Sequence, residues 1–188
     1  MATITTRARD VLWDIAVSQH GYFTIRDAKA EGIEPVTVRM LASRGRVTRV
    51  AQGLYRFDEL PVSPQAAFME AVLWTSVPDA ALSHETVLDV RELCDVNPDR
   101  IHITVPRDHR IRRGGQERYV VHYQDLDAKD QGWWEGVPAA TAACAIRQCI
   151  TWGTPHYLLR QAIDTGQRRG DLTSREATTL ADMLGART

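Results

Sequence analysis

The side chains able to do chemistry here are chiefly arginines and histidines, and their spacing points to binding rather than bond-making. Arg39, Arg44, Arg46 and Arg49 are interleaved with Thr37, Ser43 and Gln52. Guanidinium forks match guanine edges and phosphate oxygens, while hydroxyls and amides bond bases or backbone. These seven residues are the candidate DNA contacts. Arg107, Arg110, Arg112 and Arg113 form a second set. Either they grip a phosphate or a partner, or they belong to a solvated hairpin loop that protects a strand edge from aggregation. The six histidines, His20, His84, His102, His109, His122 and His156, are scattered. His102 and His122 fall in two runs that read as strands. Side by side they would hold a metal or move a proton, but no third ligand is evident. They read better as satisfied structural histidines.

No catalytic constellation stands out. No HExxH, GxSxG or glycine-rich phosphate loop ending in GK[ST] occurs. Cys94, Cys144 and Cys149 are odd in number and have no CxxC spacing. They fit buried thiols in a reducing cytoplasm better than a disulfide frame or a zinc site. Cys144 and Cys149 are five apart, so they do not share one helix face. No catalytic residue, cofactor or metal is therefore expected.

The elements that must position the first set lie between Tyr22 and Phe57. Thr24 with Asp27 forms a capping-box-like helix start. Gly32 stops that helix, Pro35 starts another and Gly45 closes it. Arg46–Val50 alternates with the period of a strand. Gln52-Gly53 turns the chain, and Leu54–Phe57 returns. Two short helices and a two-stranded ribbon make a winged helix–turn–helix. An amphipathic helix from Arg7 to His20 covers it, with Ala8, Val11, Leu12, Ile15 and Ala16 on one face. Within the second helix Val38, Leu41 and Ala42 face inward, and Arg39, Met40 and Ser43 face out, toward a major groove.

After the proline-bearing joint Leu60–Pro64, Ser63 and Pro64 open an apolar helix over Ala66–Thr75. Ser83 caps a short one through Val90. Ile101–Val105 and Arg118–Tyr123 are strands. Trp133 and Trp134 sit in a polar loop over Asp125–Gly136, where a core role is favoured over a partner surface. Helices follow over Pro138–Trp152 and Thr154–Thr165, with Gly166–Gly170 as a turn. Thr173 and Glu176 cap a last helix to Leu184. The expected fold is α+β: a winged helix–turn–helix over 1–57, then a mixed α/β domain over 58–188 ending in a helical hairpin.

Net charge is −1, which by itself argues against nucleic acid. Its distribution argues the other way. Residues 1–57 carry nine Lys/Arg against five Asp/Glu, and residues 58–188 carry fourteen against nineteen. That split fits a DNA-binding module joined to a second domain with another task. No apolar run approaches the roughly 20 residues that span a bilayer. The N-terminus lacks the apolar core of a signal peptide, so a cytoplasmic protein with no membrane association is expected.

The order of parts resembles the AbiEi family of antitoxins from type IV toxin–antitoxin, or abortive-infection, systems. Arg44–Arg56 is similar to the family's RGRL-R-GVYR wing pattern. Ala81-Leu82-Ser83-His84 follows the linker helix. The strand Ile101–Val105, with Pro106, precedes an arginine-rich stretch and a second strand. Gly136–Thr141 stands where the family has GIPVTTP, with Ala139–Ala143 replacing the Thr/Pro-rich start. The resemblance implies a winged helix that represses its own operon by binding promoter repeats. It also implies a C-terminal domain that neutralises a nucleotidyltransferase-like toxin, generally without a stable complex. The implied partners are promoter double-stranded DNA and that toxin, with the chain acting as a monomer on adjacent repeats or as a homodimer. Two alternatives stay open: a stand-alone winged-helix regulator with a ligand-sensing or dimerising C-terminal domain, and an enzyme acting on the toxin or on nucleic acid.

Overall fold

The computed structural model describes residues 2–186. The chain separates into two compact units, Met1–Pro78 and Asp79–Thr188. The expected boundary at 57/58 thus falls inside the first unit, which also takes in the apolar helix after the joint.

In the first unit, α1 (Ala2–Ser18) buries Ala8, Leu12 and Ala16 along one face. β1 (Tyr22–Thr24) follows, then α2 (Ile25–Ala30). Thr24 Oγ1 accepts from the Asp27 N–H at 3.1 Å, and Asp27 Oδ2 accepts from the Thr24 N–H at 2.7 Å. The capping box read from the sequence is therefore closed. α3 (Pro35–Ser43) starts on its proline, and Gly45 at φ +65° turns the chain out of it. β2 (Thr48–Ala51) and β3 (Leu54–Arg56) form the wing. β2 begins at Thr48, two residues later than the alternation suggests, so Arg46 lies in the turn before it.

The ribbon also has a third strand. β1 pairs antiparallel with β3, giving the order β1-β3-β2. Three buried residues carry no alternation, so periodicity could not reveal β1. Phe23, Val38, Leu41, Tyr55 and Phe57 share one apolar cluster with the face of α1. Each such side chain stabilises the unit by about 1.5–3 kcal/mol. α4 (Ala66–Trp74) packs against β1, where Tyr22 donates its hydroxyl to Glu70 at 3.0 Å. Ser63 does not cap α4; its hydroxyl is 3.0 Å from His20 Nδ1.

The second unit is built on a five-stranded mixed sheet. β4 (Ala81–Leu82) leads into α5 (His84–Val90). β5 (Ile101–Val105) and β6 (Tyr119–Tyr123) fall where the sequence places strands. They run parallel, however, and a parallel pair cannot be joined by a hairpin. The arginine-rich stretch between them is a crossover, not a hairpin loop. β7 (Gln131–Trp134) and β8 (Val137–Ala140) are an antiparallel hairpin where a polar loop and a helix start were expected. The order is β6-β5-β4-β8-β7, with two-residue β4 bridging β5 and β8.

α6 (Ala142–Trp152) begins after Thr141, whose Oγ1 accepts from the Cys144 N–H, so the expected start at Pro138 is four residues early. α7 (His156–Arg169) passes through Gly166 instead of stopping there. A Cβ on Gly166 would lie 3.0 Å from Leu172, so this glycine allows close packing. The stop is Gly170, at φ +82°. α8 (Ser174–Gly185) opens on the Thr173–Glu176 capping box and completes the helical end. The fold is α+β, as expected.

Candidate functional site

On α3 the inward and outward residues separate cleanly. Val38 and Leu41 are buried, while Arg39, Ser43 and Arg44 are exposed and Thr37 is half-buried. Arg46, Arg49 and Gln52 are exposed on the turn and wing. Arg39 Nε donates to the Pro35 carbonyl at 3.4 Å, and Arg49 Nε to the Ala51 carbonyl at 3.4 Å. Ser43 Oγ donates to the Met40 carbonyl at 3.0 Å. Each arginine bond engages one of five guanidinium N–H groups. These partners are carbonyls within four residues, so the long side chains are steered without being neutralised.

Val36 also stands on the outward face of α3, 63% exposed, three residues before Arg39. It is not legible in the sequence, because an apolar residue in a helix reads as core. At a groove-facing position such a side chain suits a thymine methyl. Arg56, by contrast, is half-buried, donates to the Leu60 carbonyl at 2.6 Å and lies over Tyr22, so it holds the unit together. Over the whole compact unit 1–78, nine Lys/Arg face eight Asp/Glu. The basic character is thus local to the winged helix rather than spread over the unit.

The second arginine set divides. Arg107, Arg110 and Arg112 are exposed and Arg113 is half-buried, its guanidinium pKa lowered by burial. Arg110 lies over the Tyr123 ring at 5.5 Å. Arg107, anchored by its N–H to Asp125 at 3.0 Å, borders an open cleft of about 670 Å³. His84, His122, Arg147, Gln148 and Trp152 line the same cleft. Trp133, expected in a core, is 67% exposed on β7.

The strands bring the two predicted histidines together and add a third. In the parallel register Thr104 faces His122, so His102, Thr104 and His122 share one face of the sheet. His102 Nδ1 lies 3.0 Å from His122 Nε2. His84, the first residue of α5, stacks on His122 with ring centroids 3.5 Å apart. One ring nitrogen from each of the three lies within 4.8 Å of the others. Sequence spacing missed His84 because it sits on a helix 18 residues before His102; only the packing of α5 against β5 joins them.

Burial, with His122 and His102 alongside, drives His84 down to about 2. Burial first, then His102, drives His122 to about 4. At His102 burial outweighs the opposing pull of Glu85, and Arg100 adds to the fall. All three are neutral imidazoles near pH 7, the form that ligates metals or relays protons. The cysteines do not compete for that role. Cys94, Cys144 and Cys149 are buried and free, and burial raises each thiol pKa, Cys144 to about 11.

No curated protein matches the sequence. Among solved structures, the chain is similar to the crystal structure of the RV2827C protein from Mycobacterium tuberculosis. The TM-score is 0.50 and the identity 18%, over 94% of this chain and 77% of that one. At that identity the likeness is one of fold. Within the N-terminal winged helix, residues 12–57 match the family model described as transcriptional regulator, AbiEi antitoxin.

Proposed function

We propose that the chain is a cytoplasmic antitoxin and autorepressor, in which the winged helix lays the outward face of α3 in the major groove of its own promoter. The observation that carries this is the division of α3, with Val38 and Leu41 buried and Val36, Arg39 and Ser43 turned out. Arg46 and Arg49 meet phosphates beside it, Thr37 and Arg44 flank the helix, and Gln52 at the wing tip reaches the backbone or minor groove. The residues beyond the winged helix neutralise a nucleotidyltransferase-like toxin.

Gel shifts of the full chain on its promoter test the first half. Arg39→Ala with Arg46→Ala is expected to weaken binding at least about tenfold, one arginine–base contact being worth about 1–3 kcal/mol. The thermal midpoint stays unchanged. Removing one phosphate-binding arginine flattens the log–log salt slope by about 0.9. Unaltered affinity in the folded double variant removes α3 from the interface. Co-expression with an adjacent nucleotidyltransferase-like reading frame tests the second half. The full chain and the double arginine variant should both restore growth, and failure of the full chain sinks the antitoxin assignment.

A further inference from the structure

The groups around His84 and His102 decide which nitrogen of each is available. Ser83 occupies the N-cap position of α5 but gives the helix no side-chain hydrogen bond. Its Oγ lies instead 3.0 Å from His84 Nδ1, which leaves Nε2 as the spare nitrogen. A cap worth about 1 kcal/mol is thereby forgone to orient an imidazole. Glu85 Oε2 lies 4.0 Å from His102 Nε2 and favours the proton there, leaving Nδ1 toward His122. A carboxylate behind a ligating histidine is the usual device that fixes its tautomer.

His84 is also held at φ +50°, a left-handed conformation costing a non-glycine residue about 1–3 kcal/mol. Its backbone N–H donates to Gln148 Oε1 at 3.3 Å, and Gln148 in turn donates to Thr104 and Gln124. His102 is fixed by its N–H, which donates to Thr86 Oγ1 at 2.8 Å. The ring of Trp152, half-exposed, stands edge-on to all three imidazoles at 4.9–6.1 Å.

We propose that His84, His102 and His122 bind one divalent transition-metal ion of the zinc class, with a further coordination position open to the cleft bordered by Arg107 and Trp152. Two nitrogens about 2.1 Å from a tetrahedral ion lie about 3.4 Å apart. The His102–His122 separation of 3.0 Å is close to that. Ligation by the third nitrogen, which lies within 4.8 Å of the other two, requires the His84 ring to turn from its stack on His122. Three imidazoles with one outer carboxylate suit zinc, cobalt, nickel or copper and not magnesium or calcium, which require oxygen ligands. Ligation needs a lone pair at each nitrogen, so the proton of the His102–His122 hydrogen bond must move to the outer nitrogen of His122. The site is independent of the DNA face, so either assignment stands if the other falls.

The test uses the full chain after chelator treatment and dialysis. Titration with Zn²⁺ alone is expected to give one ion per chain by calorimetry and a rise in thermal midpoint. Co²⁺ is expected to give the visible absorption of a four-coordinate nitrogen-rich site. His122→Gln should abolish both, and Glu85→Gln should weaken Zn²⁺ by about 10- to 100-fold while leaving one ion per chain. Absence of binding in the wild-type chain overturns the site in favour of three hydrogen-bonded structural histidines. So does full-strength binding in folded His122→Gln or His84→Ala, which would place the ion on surface histidines. If both variants fail to fold, the wild-type Co²⁺ spectrum decides: four-coordinate bands support the site, and an aquo-ion spectrum overturns it.

Discussion

The outward face of α3 and the inward face of β5 and β6 place polar groups under opposite rules. On α3 Arg39 and Ser43 are exposed and bonded to nearby carbonyls, while Val38 and Leu41 face a separate cluster. Fold and function occupy different side chains. Against the sheet, His84 of α5 and Gln148 of α6 are buried with His102 and Thr104 of β5, and these residues are bonded to one another's elements. There the groups that do chemistry also hold the unit together. Substitution of the first face therefore separates binding from stability, and substitution of the second does not.

The largest expected effect tests that separation within α3. Leu41→Ala removes a side chain 2% exposed and should cost about 2–5 kcal/mol by urea unfolding. Arg39→Ala, two residues away, should stay within about 0.5 kcal/mol. Comparable losses would show that the outer face is structural after all. Next in size is Gln148→Leu in the second unit. It leaves the His84 N–H, Thr104 Oγ1 and Gln124 Oε1 without this partner, at a cost of about 2–3 kcal/mol. A midpoint like the parent's would mean the inward polar set is dispensable and the comparison false. Smaller again is Gly45→Ala, between α3 and the wing. The glycine is at φ +65° with nothing within 4 Å of a new Cβ, so conformational strain alone should cost about 1–2 kcal/mol.

The same contrast explains what the sequence made legible. Signals confined to a few residues survived intact: the Thr24–Asp27 and Thr173–Glu176 boxes, Pro35 at a helix start and Gly45 at its end. The winged helix is built from such signals, so its candidate face was readable in advance, Val36 excepted. The second unit depends on pairings between distant segments. β4 is two residues long and shows no period, yet it joins β5 to β8. Val137–Ala140 is a short buried run, which periodicity cannot assign to strand or helix. The direction of β6 follows from the crossover over 106–118, not from any residue in it. His84 was hidden for the same reason, since its partners belong to other elements.

The two capping boxes carry the contrast to its smallest measurable effect. Thr24 is 3% exposed, whereas Thr173 and Glu176 are exposed. The Thr173 hydroxyl and N–H donate to Glu176 Oε2 at 2.7 and 2.8 Å. Those bonds, the hydroxyl's first, hold the carboxyl below its ordinary value of 4.5. A carboxyl depressed in the folded state binds fewer protons there than in the unfolded chain. Its contribution is therefore present above pH 4.5 and is lost as pH falls through the folded value. Glu176→Gln should cost less than about 1 kcal/mol at pH 7, because the exposed charge is screened by solvent. It should also make the urea midpoint less steep in pH below 4.5. A variant that keeps the parent's full acid slope would assign that slope to other carboxylates, and would leave the second unit without a surface cap that acts apart from its buried polar set.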